Sequence, residues 1–195
     1  MEIDLNELSP SKRYALMIRA ITPRPIAWIS TVSPSGIVNL APFSFFAGVG
    51  SNPPAIVVSI ADKPDGSPKD TLRNIESSGE FVVNMVPYGV RDAMYLTSKE
   101  FDFDVSEVEQ AGLKCVASKT IAPPRIVESP IQLECKLHQI VRVGSSATVF
   151  GIIQWASVDD SVLDDEQKID PATADLIGRM GGMGYCRTTD RFELK

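Results

Sequence analysis

The sequence predicts a mainly β protein with peripheral helices, its strands arranged as an antiparallel barrel, and three stretches carry that prediction. Ile26 to Val32 is rich in β-branched and aromatic residues, Pro34-Ser35-Gly36 is a turn signal, and the apolar pattern resumes at Ile37 to Leu40, so the segment reads as a hairpin. Ile131 to Leu137 alternates: Ile131, Leu133, Cys135 and Leu137 fall on one face, and Gln132, Glu134, Lys136 and His138 on the other, as in a half-buried strand with a solvated histidine. Gly144 to Ser146 is a tight turn into Ala147 to Val158, a long strand interrupted by Gly151. Strands joined this closely form a meander, the usual way to build a barrel.

A chain of 195 residues buries a core without staples, and it contains no internal repeat, low-complexity segment or linker, so one domain over 1–195 is expected. A formal net charge of -6 with no basic run argues against nucleic acid or an anionic membrane as main partner. Cys115, Cys135 and Cys186 are odd in number and far apart, which predicts neither a disulfide framework nor a metal site. There is no apolar run of signal length at the N-terminus and no membrane-spanning stretch, so a cytoplasmic location is expected.

The elements follow in order. Ser9-Pro10 reads as an N-cap with proline at the first helical position, and Tyr14, Met17, Ile18 and Ile21 recur at helical spacing, giving an amphipathic helix over about 9–21. After the hairpin turn, Asn39, Pro42 and Ser44 interrupt an apolar run, and Pro42 cannot donate to a ladder, so the strand is expected to end or bulge there. Backbone groups freed beside Phe43, Phe45 and Phe46 suit a flat heteroaromatic ligand; a bent core strand with aromatic packing is the plain alternative. Gly48, Gly50, Asn52, Pro53 and Pro54 predict a loop before a buried strand at Ala55 to Ile60.

Ser67-Pro68-Lys69-Asp70-Thr71 combines a capping residue, proline and an acidic residue three after the cap, so a helix is expected from there, with Leu72 and Ile75 as its apolar side and Gly79 as its stop. A helix start flanked by Lys69 and Thr71 offers N–H groups, a cation and a hydroxyl to a phosphate, although an ordinary capped helix explains the same residues. Asp70 opposes an anion unless its carboxylate points away. Glu80 to Val86 reads as a strand, Val90 to Thr97 as a short helix, Lys99 to Gly112 as an exposed acidic excursion, and Lys114 to Pro130 as a proline-broken loop in which Arg125 is either structural or an anion clamp. Asp170-Pro171 begins a last helix, with Leu176, Ile177 and Met180 as its apolar side, ending at Gly181-Gly182.

Metalloprotease, P-loop, serine-elbow and dinucleotide fingerprints are all missing, and no nucleophile sits beside a base, so the reactivity is expected to come from a bound cofactor. Five motifs in fixed order bear on this: RPIAWIST at Arg24 to Thr31, NLAPFSFF at Asn39 to Phe46, NPP at Asn52 to Pro54, KDTLRNI at Lys69 to Ile75, and GRMGGMGY at Gly178 to Tyr185. On these the chain from about Thr22 onward resembles the flavin reductase-like proteins, which bind FMN in a split β-barrel. The resemblance implies an FMN-dependent oxidoreductase that passes electrons through the flavin without a side-chain general base. It places Ser30 and Thr31 on the ribityl and phosphate side, and Asn39, Leu40, Ala41, Pro42, Ser44 and Phe45 against the isoalloxazine. Ser59 would lie near the ribityl chain, Lys69, Asp70, Thr71 and Asn74 near the phosphate, and Tyr185 at the same site; Arg24 either meets the phosphate or braces the hairpin. A homodimer is implied, with FMN near the subunit interface and a small-molecule reductant or acceptor. NAD(P)H-using members commonly carry Gly-Asp-His where this chain has Gly144-Ser145-Ser146. NADH or NADPH as reductant and a monooxygenase as partner therefore stay open, beside an FMN-binding electron carrier without NAD(P)H turnover.

Overall fold

The computed structural model describes residues 1–194. Its first helix, α1 (Pro10–Ala20), begins as expected, with Pro10 at the first position and the Ser9 hydroxyl accepting from the Lys12 N–H at 3.4 Å. The chain then lays down β1 (Arg24–Pro25), β2 (Ala27–Val32), β3 (Val38–Phe43), β4 (Phe46–Ser51) and β5 (Pro54–Ala61). After α2 (Asp70–Ser78) come β6 (Glu80–Met85), α3 (Arg91–Leu96), α4 (Glu107–Gln110), β7 (Cys115–Val116) and β8 (Arg125–Ile126). The hairpin of β9 (Ile131–Val143) and β10 (Ser146–Val158) is followed by α5 (Pro171–Ala174), β11 (Ile177–Arg179) and β12 (Tyr185–Arg187).

Seven strands form one antiparallel sheet in the order β3-β2-β6-β9-β10-β5-β4. Its two edges, β3 and β4, are consecutive in the chain and joined by Ser44 and Phe45 alone, so the sheet curls into a barrel that stays split at this two-residue step. The inner face buries Ala27, Ile29, Val58, Ile60, Phe81, Val83 and Val149, with Leu72 and Ile75 of α2 packed into the same core. A second core on the outer face of β2 and β3 holds Trp28, Leu40, Val86, Met94, Val108 and Ile177, so β2 is covered on both sides. Trp28 is fully buried there and its indole N–H donates to Thr97 Oγ1 at 2.8 Å, which satisfies the one polar atom the ring carries.

Six expectations are corrected. The strand does not break at Pro42: β3 runs through it to Phe43 with Pro42 opposite Trp28, because an edge strand tolerates a missing N–H. The expected loop after Phe46 contains β4, which Gly48 and Gly50 enter with a register shift against β5. Ser67 does not cap α2; its N–H and hydroxyl are both taken by Asp65, and the helix starts two residues later with Lys69 at the cap position. The last helix is a single turn capped by Asp170, ended by Asp175 in the left-handed region at φ 41°, and Ile177 continues as strand between β1 and β12. Finally, the polar face of β9 is not solvated near its start: Glu134 is fully buried, and Glu107 of the supposedly exposed acidic excursion is buried as well.

Candidate functional site

The split in the barrel sets the site. Ser44 and Phe45 bridge the two edges, tied to the far side by the Ser59 N–H donating to the Phe45 carbonyl at 2.9 Å. Above them opens a cavity of about 280 Å³, walled by Pro42, Phe43, Ser44 and Phe45 on the barrel, Ser59 and Ala61 on β5, and Tyr14 and Ile18 of α1. Met94 and Tyr95 of α3, Arg179 and Tyr185 of the C-terminal strands, and Arg24, Ile26, Lys69 and Ser98 complete the wall. A smaller cleft of about 70 Å³ shares Pro42, Phe43, Lys69 and Ser98 with this cavity and runs on to Asn39, Ala41, Asp70 and Thr71. The two make one bent groove from an aromatic chamber to the head of α2.

The head of α2 leaves donors uncapped. No side chain caps its first turn, so the leading N–H groups have no intrahelical partner and the positive dipole end faces the cleft. The Asp70 carboxylate, which also lines the cleft, is paired with Lys63 at 3.0 Å and Arg73 at 3.2 Å. Lys69 lines both parts of the groove and, among the described residues, makes no ion pair.

Beneath the cleft lies a chain of buried polar groups. Asn39 Nδ2 donates to Glu107 Oε1 at 2.6 Å, and the Leu40 N–H donates to Glu107 Oε2 at 2.9 Å. On its other side Asn39 Oδ1 accepts from the Thr71 hydroxyl at 2.8 Å and more weakly from Thr31 at 3.4 Å, while Asn74 Nδ2 donates to Thr31 Oγ1 at 3.0 Å. Burial pushes the Glu107 carboxyl above its ordinary value, against the pull of the Leu40 N–H and the Asn39 amide.

Of the residues expected here, Arg24, Pro42, Ser44, Phe45, Ser59, Lys69 and Tyr185 line the larger cavity, and Asn39, Ala41, Asp70 and Thr71 the cleft. Thr31 and Asn74 sit one layer below, in the polar chain. Leu40 points into the second core and its N–H is taken by Glu107, so it presents nothing to the groove. Ser30 lies on the opposite face of β2 from Thr31; it donates to the Pro124 carbonyl at 2.6 Å and is not brought to the site. Arg24 braces: its guanidinium donates to the carbonyls of Ile18 at 2.7 Å, Met180 at 3.1 Å and Ile21, and to Ser44 Oγ at 3.4 Å. Sequence reading missed Glu107, because a lone glutamate in an acidic segment carries no local mark of the strand it will face. It missed Arg179 too, whose guanidinium lies over the Tyr185 ring at 4.5 Å and donates to the Tyr185 hydroxyl.

Residues 18–179 match the family model described as the flavin reductase like domain. An uncharacterized protein of Aquifex aeolicus is 38% identical over 195 residues, with 100% of both chains covered. Among solved structures, nitrilotriacetate monooxygenase component B from Bacillus cereus superposes with a TM-score of 0.95 at 31% identity, covering 100% of this chain and 98% of that one. The 2-nitrobenzoate 2-nitroreductase NbaA of Pseudomonas fluorescens gives a TM-score of 0.91 at 35% identity, covering 100% and 95% respectively. The chain therefore belongs to the flavin reductase-like family, and its split barrel is the fold of that family.

Proposed function

We propose that this protein is an FMN-dependent oxidoreductase of the flavin reductase type. The observation that carries the reading is the continuity of an aromatic-walled chamber with an uncapped helix start, with Lys69 at the junction. A ring system with a phosphorylated tail fits such a groove; a bare apolar ligand leaves the helix head unused. Bound there, FMN would supply the hydride- and electron-accepting chemistry that the side chains of the site do not have. The chain's own part is placement. Phe45, Tyr185 and the Ser44 backbone orient the ring, the first-turn N–H groups of α2 and the Lys69 ammonium hold the phosphate, and α1 and α3 limit water above it.

The purified protein is expected to be yellow and to release FMN on denaturation. K69A should weaken FMN about tenfold or more while changing riboflavin less than about twofold, since a hydrogen bond to a charged group is worth roughly 1.5–3 kcal/mol. Equal weakening of both, or failure to quench FMN fluorescence at all, refutes the reading.

The electron donor separates two versions. Ser146 pairs with Ala61, and Ala61 lines the chamber, so the turn that lacks Gly-Asp-His lies one strand from the flavin face. That favours keeping a second reading, an FMN-binding electron carrier. Rapid anaerobic bleaching by NADH or NADPH supports the reductase, and no bleaching by either supports the carrier. The likeness to a monooxygenase component B supports a partner monooxygenase as acceptor. A homodimer is supported by α1 and the residue that ends it, which present Tyr14, Met17 and Ile21 to solvent beside the chamber; sedimentation of a single-chain mass would refute it.

A further inference from the structure

We propose that Glu107 is a positioning residue for the anion end of the groove. Its carboxylate sets the direction of the hydrogen bonds along Glu107, Asn39 and Thr71, so that the Thr71 hydroxyl points inward and an anion is met by backbone N–H groups and Lys69. The proposal rests on the reading that the head of α2 holds a phosphate.

The argument is one of donors and acceptors. Glu107 is 8% exposed, Asn39 9% and Thr71 1%, so water does not take over their bonds. An ionised carboxylate only accepts, and it faces the Asn39 amide at 2.6 Å. Asn39 must therefore turn its NH₂ to Glu107, since its oxygen there would face a like partial charge. Oδ1 is then left for Thr71, which has to donate its one proton at 2.8 Å. That proton is no longer available to a ligand in the cleft. Among the described residues Glu107 has no ion-pair partner; Asp70 adds a repelling charge, and Lys63, Lys69, Lys99 and Glu100 share the cleft. A carboxylate buried without a counter-charge is costly, so a role in mere packing is poorly served by it. Its two oxygens do what an amide cannot: they accept from a side chain and from the backbone of β3 at once, fastening the acidic excursion to the site.

The E107Q variant tests this sharply. The Leu40 N–H cannot turn, so the new amide must give it its oxygen and offer its NH₂ to Asn39. Asn39 then rotates, its NH₂ faces Thr71, and the Thr71 hydroxyl is released to donate into the cleft. In the flavin-free protein, the Asn39 side-chain amide signals are expected to follow a carboxylate titration by NMR, and E107Q should abolish that response. In flavin binding, T71V in the wild-type background should leave the FMN-to-riboflavin affinity ratio within about twofold, whereas in the E107Q background T71V should lower it about fivefold or more. A Glu107 that only supports the fold would weaken both flavins alike and show no such coupling. Asn39 signals indifferent to E107Q overturn the proposal, as does a T71V loss of about fivefold in the wild-type background, a result that needs no folded E107Q. If the wild type binds riboflavin as tightly as FMN, the phosphate reading falls, and the titration still decides whether Glu107 directs Asn39.

Discussion

Gly151 offers a test of how tightly the barrel is packed. It lies in β10 at a register shift against β9, and a Cβ built there would come within 2.5 Å of Phe81 Cζ, 3.1 Å of Phe81 Cε1 and 3.4 Å of Cys135 Cβ. Carbon atoms rest at about 3.5–4.0 Å, so G151A demands that the Phe81 ring move by about 1 Å. Phe81 and Cys135 are both fully buried in the barrel core. Overpacking of this kind costs roughly 1–3 kcal/mol, and replacing glycine recovers about 0.4–1 kcal/mol by restricting the unfolded chain. The expected net loss is about 1–2 kcal/mol, read as a lower urea midpoint at unchanged slope, or a fall in Tm of roughly 2–8 °C for a chain of this size. F81L removes the ring end that the new methyl would strike. The double variant should thus be more stable than the sum of the singles by about 1 kcal/mol or more. A G151A protein as stable as the wild type, or strictly additive singles, would mean that the barrel interior has slack and that the contact carries no strain.

R24K keeps the charge but loses the planar fork that ties three backbone carbonyls and Ser44; it should weaken FMN and riboflavin alike, about tenfold, and a loss confined to FMN in parallel titrations would make Arg24 a phosphate ligand instead. Burial pushes the Glu134 carboxyl up, but the N–H groups of Lys119 and Thr120, the Thr120 hydroxyl and Arg125 outweigh it and hold the group below its ordinary 4.5. Its stabilising share is therefore present above the unfolded value near 4.5 and is lost as pH falls through the lower folded value, so urea midpoints of E134Q should fall less between pH 5 and pH 3 than those of the wild type, and parallel curves would refute the linkage.

What could be read from the chain was local. Ser9-Pro10, Pro34-Ser35-Gly36 with Gly36 at φ 86°, and Gly79 at φ 70° declare their elements within a few residues, and each forms as expected. The failures are tertiary. Leu176, Ile177 and Met180 have helical spacing, yet Asp175 adopts the left-handed conformation, Arg187 pairs with it, and β11 finds partners on both sides. Glu134 follows the polar phase of an alternating strand, but its outward face is roofed by the loop at Lys119 and Thr120, whose N–H groups need an acceptor. Glu107 is 67 residues from the Leu40 N–H it accepts, a pairing that no window of sequence contains. For the groove itself, Lys69, Thr71 and Phe45 stood out by residue type, while Glu107, on which the polar layer under it is anchored, did not. Donor and acceptor direction exists only after the elements have met.

The same accounting separates the three cations of the larger cavity. Arg24 has spent its guanidinium on the end of α1, on Met180 and on Ser44, and Arg179 has spent its own on Tyr185 and the Gly182 carbonyl. Arg24 ties the C-terminal segment to the end of α1 and to the split, Arg179 braces that segment internally, and both line the chamber. Lys69 shares none of this work; it sits where the chain leaves its turn for α2, beside N–H groups that no side chain has claimed. On the proposed reading, charge recognition falls to Lys69 at the lead into α2, and chamber shape to arginines on other elements. Removing Lys69 should cost a ligand in proportion to its phosphate, whereas disturbing Arg24 should cost every ligand of the chamber equally. A split barrel permits that division because closure, which the ladder would otherwise provide, is left to side chains at the one place where the sheet has two free edges.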